Sequence, residues 1–195
     1  MTQLGEGERQ RAGGRGPVGE GKRQRAGGRG SQVLVAGVGN IFLRDDGFGS
    51  EVARRLAARA LPDGVRVVDY GIGGIHLAYD LLAGVDQLIL VDALARDVAP
   101  GTVSLLEVEP DDDLPSTVDS HAMDPATVFA SLRGLGGVPP PTVVVGCEPA
   151  DVSEGMGLSP QVADAVDPTV EQVLQLATER ATGPADRATT GAAGG

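Results

Sequence analysis

The sequence predicts an α/β fold, a three-layer sandwich in which a mostly parallel, twisted sheet of about five strands carries helices on both faces. Two observations predict it. Short apolar runs alternate along the chain with longer segments of helical periodicity, and that alternation is typical of right-handed crossovers between parallel strands. Residues 88–92 (LILVD) are continuously apolar up to the last residue, as expected for a strand that is buried on both faces.

Each element has its own local signal. Residues 32–38 form a short apolar run that ends in glycines, and residues 47–60 place Phe48, Val52 and Leu56 on one helical face. Pro125 stands in the first turn of the third expected helix, a position that proline favours. The strands are expected at residues 32–38, 65–70, 88–92, 103–108 and 142–147, and the helices at residues 47–60, 75–83, 124–132 and 159–177.

The chain of 195 residues has room for one ordinary domain and two tails. Residues 1–30 contain a near-perfect duplication (GEGERQRAGGRG, then GEGKRQRAGGRG) that cannot bury a core, so we expect a disordered leader. There are two other interpretations of residues 1–30. The upstream start codon could be wrongly chosen, or the segment could be an arm that touches RNA or an acidic partner. Residues 31–180 form the expected domain, and residues 181–195 are expected to be a disordered tail.

Charge and cysteine usage exclude several classes of protein. Residues 1–30 carry a net charge of +4, whereas the rest of the chain has nine basic and twenty-four acidic residues, a net charge of −15. Such an acidic body repels phosphate backbones, which disfavours nucleic-acid binding. The one cysteine, Cys147, fits a reducing compartment, and no apolar run approaches the ~18 residues of a membrane span. Without a secretion signal either, the protein is expected to be cytoplasmic.

The candidate site residues follow the strands, because ligands of open α/β sheets bind beyond the carboxyl ends of the strands. Asp46 follows the first strand, Asp92 ends the third, and His121 precedes the third helix. Two carboxylates and an imidazole suit a divalent transition metal such as nickel, zinc or copper, and three ligands leave coordination positions open. Each residue also has a plainer interpretation, since either aspartate could cap the segment after it and His121 could cap or pack.

A dinucleotide site is the first alternative, because a Gly-Val-Gly run ending at Gly39 follows a strand and Asp69 ends the next. The third glycine of that fingerprint would be Phe42, and the charges of Asp45 and Asp46 would oppose a pyrophosphate. The sequence therefore argues against this alternative.

Two other side chains with reactive groups have plain interpretations. Cys147 could act as a nucleophile with His121, but a lone small thiol after VVVG is typical of buried packing. His76 stands four residues before Asp80, so a solvated ion pair explains it. We expect His76 to lie opposite the apolar helix face of Ile75, Ala78, Tyr79 and Leu82.

Several segments, taken together, resemble the nickel-iron hydrogenase maturation endopeptidases, the proteases that process the C-terminus of the hydrogenase large subunit. They are VLVAGVGNIFLRDDGFG, LILVDAL, APGTV, DSHAMD and VVVGCEPADVSEGMGLSPQVADAVDPTVEQVL, in the family's order and spacing over residues 31–177. The resemblance implies removal of a short C-terminal extension from the large-subunit precursor after nickel insertion. It also implies that Asp46, Asp92 and His121 bind the metal, with Asp46 at a position that takes Glu or Asp. The duplicated leader has no counterpart in the family pattern.

Our hypothesis is that nickel already held by the precursor is the recognition signal, with its coordination completed by Asp46, Asp92 and His121. A monomer is the simplest expectation for a protein that docks onto a larger partner. The metal could polarise the peptide carbonyl, or water could be activated by metal or carboxylate. An aspartic mechanism would need Asp46 and Asp92 to share a proton. The alternative functions are a non-catalytic nickel chaperone or sensor, and an α/β hydrolase or phosphorylase for a nucleoside-like ligand.

Overall fold

The computed structural model describes residues 31–109 and 125–182 and confirms the predicted α/β sandwich. The strands are β1 (Val33–Val38), β2 (Val65–Gly71), β3 (Gln87–Ala93), β4 (Val103–Val108) and β5 (Thr142–Cys147). The helices are α1 (Phe48–Ala57), α2 (Gly74–Leu82), α3 (Pro125–Gly134) and α4 (Pro160–Thr182), and a 3₁₀ turn (Arg44–Gly47) leads into α1.

The sheet order is β2-β1-β3-β5-β4, with four parallel strands and β4 antiparallel to β5 at one edge. From β1 the chain crosses outward to β2 and then returns past β1 to β3. The carboxyl ends of β1 and β3 therefore flank the point at which the strand order reverses, the place where ligands of open α/β sheets bind.

Two apolar cores lie on opposite faces of the sheet, because successive side chains of a strand point to opposite faces. Val33 and Val35 of β1 pack with α1 and α4, whereas Leu34 and Ala36 of the same strand pack with α2 and α3. All six residues of β1 are buried. This burial explains the continuous apolar runs in the central strands.

Two glycines bring α1 and the 3₁₀ turn against the strand ends. A Cβ on Gly49 would lie 2.1 Å from the carbonyl oxygen of Val91 and 2.3 Å from that of Val38. Gly39 has φ +130°, and a Cβ there would lie 1.8 Å from the carbonyl oxygen of Asp46. Only glycine allows this approach, which fixes the backbone of Asp46 over the end of β1.

The predicted apolar face of the second helix was wrong. The buried residues of α2 are Gly74, Leu77, Ala78 and Leu81, whereas Ile75, Tyr79 and Leu82 are exposed. The helix is apolar around most of its circumference, so its periodicity did not fix its orientation.

At the C-terminus, α4 continues to Thr182 and includes the first two residues of the expected tail. The expected leader and residues 183–195 lie outside the described residues. Within residues 31–109 and 125–182, no helix is long and apolar enough to cross a membrane.

Candidate active site

Asp46 lies in the 3₁₀ turn and is held by the loop that precedes it. Its Oδ2 accepts a hydrogen bond from the backbone N–H of Asn40 at 2.6 Å. The side chain of Asn40 in turn accepts the N–H of Phe42 at 3.0 Å, and its carbonyl oxygen accepts the N–H of Leu43 at 2.9 Å. Oδ1 of Asp46 makes no hydrogen bond to any described residue, so one carboxylate oxygen is available to an external ligand.

Asp92 lies at the same edge of the sheet. It is the second-last residue of β3, its Cα is in register with Gly146 of β5, and its Oδ1 accepts the N–H of Ala93 at 2.8 Å. The 3₁₀ turn that carries Asp46 contacts β3. Two of the three candidate ligands therefore come from neighbouring strands at the point where the strand order reverses, and both are partly buried.

His121, the third candidate ligand, lies outside the described residues, four positions before α3 begins at Pro125. At the other end of α3, a Cβ on Gly137 would lie 3.1 Å from Cδ1 of Leu82, the last residue of α2. Because α2 leads from the carboxyl end of β2 to the amino end of β3, Leu82 lies toward the amino edge of the sheet. The end of α3 near Leu82 is therefore also at the amino edge, and α3 begins toward the carboxyl edge. Within residues 31–109 and 125–182, which do not include His121, no three His, Cys, Asp or Glu side chains are grouped so that they could hold a metal ion.

Asp45 supports the loop that carries Asp46, a role that the sequence alone did not indicate. The side chain is 0% exposed and accepts three backbone N–H groups, from Ala150 at 2.8 Å, Asp151 at 2.9 Å and Ser159 at 2.6 Å. Burial by itself raises the pKa of Asp45, but these N–H donors outweigh it and hold the pKa below its ordinary value of 3.8. Asp45 is therefore a buried carboxylate that ties the loop of Asp46 to residues 148–159, called here the 148–159 loop.

Backbone bonds strengthen the same connection. The N–H of Asp45 donates to the carbonyl oxygen of Asp151 at 3.1 Å. The N–H of Arg44 donates to Gly155 at 3.1 Å, and the N–H of Gly155 donates to Phe42 at 2.8 Å. The 148–159 loop, which contains most of the GMGLSP segment, is thus the support of the loop that carries Asp46. The signal for Asp45 in the sequence was the pair of adjacent acids in RDDG. In the structure Asp45 faces inward, and Asp46 lies at the strand ends.

Cys147 is buried at 1% exposure. Burial first, and then the charges of Asp45 and Glu148, raise the pKa of its thiol to about 11. Such a thiol is protonated at neutral pH. The structure therefore supports the packing interpretation of Cys147 over a cysteine nucleophile.

His76 is exposed on α2, as expected. The carboxylate of Asp80, its expected partner, accepts hydrogen bonds from Nη1 of Arg66 at 2.9 Å and from the hydroxyl of Tyr70. The bond from Tyr70 is the largest cause of the lowered pKa of Asp80, and the charge of His76 adds to it, as expected for a solvated pair. Nothing in this arrangement makes His76 part of the site.

Asp69, the acid that a dinucleotide site would use, is engaged within the protein. It accepts hydrogen bonds from Oγ of Ser50 at 2.7 Å and from the N–H of Gly71 at 2.9 Å. The space beside Gly39 that a pyrophosphate would need is occupied by the carbonyl of Asp46. The structure therefore argues against a dinucleotide site here.

Comparisons with known proteins identify the family of this chain. The family model described as hydrogenase maturation protease matches residues 50–176. The hydrogenase 2 maturation protease of Escherichia coli is 36% identical over 149 residues, which cover 73% of this chain and 88% of the relative. A putative hydrogenase maturation protease of Methanocaldococcus jannaschii is 37% identical over 153 residues, which cover 73% of this chain and 94% of the relative.

Solved structures give the same result. The hydrogenase maturating endopeptidase HybD of E. coli superimposes with a TM-score of 0.65 at 34% identity, over 76% of this chain and 93% of that chain. The hydrogenase 2 maturation peptidase of a thaumarchaeote superimposes with a TM-score of 0.59 at 31% identity, over 74% of this chain and 97% of that chain. The chain therefore belongs to the hydrogenase maturation protease family and is an endopeptidase of hydrogenase maturation.

Proposed function

We propose that the protein removes a C-terminal extension from the large-subunit precursor of a nickel-iron hydrogenase after nickel has been inserted, and that the nickel held by the precursor is the recognition signal. The observation that carries this proposal is the presence of two carboxylates, Asp46 and Asp92, at the carboxyl edge of the sheet. Oδ1 of Asp46 has no hydrogen bond to a described residue and lies at the same edge as Asp92. We further propose that the protein acts as a monomer in the cytoplasm, where Cys147 stays reduced.

In this proposal Asp46, Asp92 and His121 complete the coordination of the substrate's nickel. Carboxylate oxygens together with an imidazole are suitable donors for a divalent transition metal. Asp46 is well suited to this role because its Oδ2 is fixed by Asn40 while Oδ1 remains available. The side chain of an aspartate is one methylene shorter than that of a glutamate, and the approach of the backbone at Gly39 brings Asp46 over the strand ends.

For His121 the support is the position of α3. Four residues of extended chain span at most about 14 Å. Since α3 begins toward the carboxyl edge, a histidine four positions before Pro125 is within reach of the strand ends.

Docking through the metal would position the scissile bond beside these side chains. When bound, a divalent metal can polarise a peptide carbonyl or lower the pKa of a water molecule. Asp46 and Asp92 would then orient the attacking water, and one of the two carboxylates would accept a proton from it and pass that proton to the leaving amine nitrogen as the peptide C–N bond breaks. The aspartic alternative uses the same two side chains as a pair that shares one proton, and it predicts cleavage without any metal.

The test is intact-mass spectrometry of a nickel-loaded precursor incubated with the parent protein and with Asp46→Ala, Asp92→Ala and His121→Ala. We expect loss of a defined C-terminal peptide with the parent and at least about 100-fold slower loss with each variant, because each removes one donor. Asp63→Ala, an exposed carboxylate between α1 and β2, is the matched control and should cleave like the parent.

Two further outcomes separate the alternatives. Cleavage of a nickel-free precursor at the same rate would contradict nickel recognition and favour the aspartic pair. An unchanged mass of the nickel-loaded precursor, with the parent protein folded, would contradict cleavage and support the nickel chaperone, although the protease names of the relatives favour the endopeptidase.

A further inference from the structure

A cavity of about 510 Å³ lies beside the loop that carries Asp46. Its walls are α1, the end of β2 and the segment before α4. Ile41 and Gly47, which stand on either side of Asp46 in the sequence, both line it. The cavity therefore adjoins the loop that carries Asp46.

One part of the lining is apolar and open to solvent. Ile41, Met156 and Leu158 all line the cavity, and the side chain of Met156 is 70% exposed. Methionine side chains adapt to irregular apolar partners, and exposed apolar groups at a concave site are typical of a binding surface. This part of the cavity suits an apolar side chain of a ligand.

The other part of the lining is charged. The lining includes three arginines (Arg44, Arg54 and Arg55) and two acids (Glu51 and Asp69), but Arg44 also pairs with Asp151 and Arg55 with Asp167, two acids outside the lining. Within the described residues Arg54 pairs with Glu51 alone, an acid that it shares with Arg55, so Arg54 is the arginine of the lining whose charge is least compensated by acids.

Arg54 is the residue best able to receive a negatively charged group. Its Nε and Nη2 donate to the two carboxylate oxygens of Glu51 at 2.8 and 2.7 Å, which fixes the guanidinium. Its Nη1 makes no hydrogen bond to any other residue in the described part of the chain, and the side chain is 68% exposed. A fixed guanidinium with a remaining N–H edge is a suitable donor to a carboxylate.

We propose that this cavity binds the C-terminal extension of the precursor, with an apolar side chain of the extension against Ile41 and Met156 and a carboxylate of the extension at Arg54. The assignment rests on the proposed function. Chain that continues past a scissile bond held at Asp46 enters the cavity at Ile41, and a volume of this size accommodates a few residues. The C-terminal carboxylate of the extension, or an acidic side chain near it, supplies the negative charge.

The first test is photo-crosslinking, which does not depend on cleavage. p-Benzoyl-phenylalanine in place of Met156 is irradiated with the nickel-loaded precursor, and the crosslinked peptide is identified by mass spectrometry. We expect crosslinks to the extension from position 156 and none from position 138, where Val138 is 76% exposed and does not line the cavity. Crosslinks from position 156 to the body of the precursor alone, or none at all, would overturn the proposal.

The second test compares the binding of two forms of the partner, the nickel-loaded precursor and the large subunit without its extension. Met156→Glu and Arg54→Glu should each weaken binding of the nickel-loaded precursor about tenfold, but leave binding of the extension-free large subunit unchanged. Val138→Glu is the control for an added surface charge and should change neither. Equal losses with both ligands, or no loss with either, would overturn the proposal. If the parent crosslinks to the extension yet never shortens the precursor, the proposed function fails while the cavity assignment stands.

Discussion

Replacing Asp45 by asparagine should destabilise the domain strongly, although the change is nearly isosteric. The carboxylate is buried and accepts N–H groups from Ala150, Asp151 and Ser159. Asparagine keeps one acceptor oxygen and turns the other position into an NH₂ group that faces an N–H donor. At least one of the three bonds is therefore lost and replaced by a repulsive contact.

The magnitude follows from those three bonds. A hydrogen bond to a charged group contributes about 1.5–3 kcal/mol, and the contributions are not additive because all three donors serve one carboxylate. The residues of the 148–159 loop are largely exposed, so water partly replaces the lost acceptor. We expect Asp45→Asn to lower the free energy of unfolding by about 2–4 kcal/mol, a large share of the roughly 5–15 kcal/mol of a typical domain.

Urea unfolding at pH 7 checks this expectation. With a slope of about 2 kcal/mol per molar urea, the midpoint should fall by roughly 1–2 M. Asp63→Asn, at an exposed carboxylate, is the control and should leave the midpoint unchanged. Equal midpoints for the two variants would refute the role assigned to Asp45.

The pH dependence has a definite sign. Because the pKa of Asp45 is lower in the folded chain than its ordinary value of 3.8, the unfolded chain takes up the proton first as the pH falls. The stability that Asp45 contributes is complete well above pH 3.8 and is lost as the pH falls through the folded pKa. The difference between the parent and Asp45→Asn should therefore shrink below about pH 4 and stay constant from pH 5 to 8.

Three further perturbations have definite outcomes. Gly49→Ala should lower the free energy of unfolding in urea by about 3 kcal/mol or more, because its Cβ would lie 2.1 Å from a carbonyl oxygen. Gly134→Ala in α3 is the control and should be neutral or stabilising, because no atom lies within 4 Å of its Cβ. Cys147 in the native protein should resist iodoacetamide at pH 8 because its pKa is about 11, and rapid alkylation in the folded state would contradict its buried position. Ser50→Ala, which removes the hydroxyl donor to Asp69, should cost about 1 kcal/mol by thermal unfolding, and an unchanged midpoint would show that water replaces that bond.

The order of strands and helices could be predicted from the sequence because each element carries a local signal. Residues 88–91 are apolar without interruption, and β3 is indeed a strand with neighbours on both sides. The carboxyl edge as the place of the site also follows from the parallel arrangement alone. Asp46 and Asp92 lie at that edge as expected, whereas His121 lies outside the described residues, and the role of all three as metal ligands stays a prediction.

Other features depend on distant parts of the chain and have no local pattern. The buried face of α2 could not be chosen from periodicity, since Ile75 and Tyr79 are as apolar as the residues that are buried. The cavity combines Ile41, Asp69 and Met156, which only the fold brings together. The pairing of β4 with β5 at the sheet edge, antiparallel to its neighbour, is also a long-range feature that the sequence did not indicate.

The three hydrogen bonds that Asp45 accepts also determine when the loop of Asp46 can be held in place during synthesis. The three donors stand 105, 106 and 114 positions later in the chain. Contacts of such separation form late, and a ribosome that adds about 5–20 residues per second needs several seconds to supply them. The strands β1, β2 and β3 can pair before Ser159 exists, but the loop of Asp46 has no support until then. The hydrogen bonds that hold the loop of Asp46 to the 148–159 loop are therefore complete only when nearly the whole domain has left the ribosome.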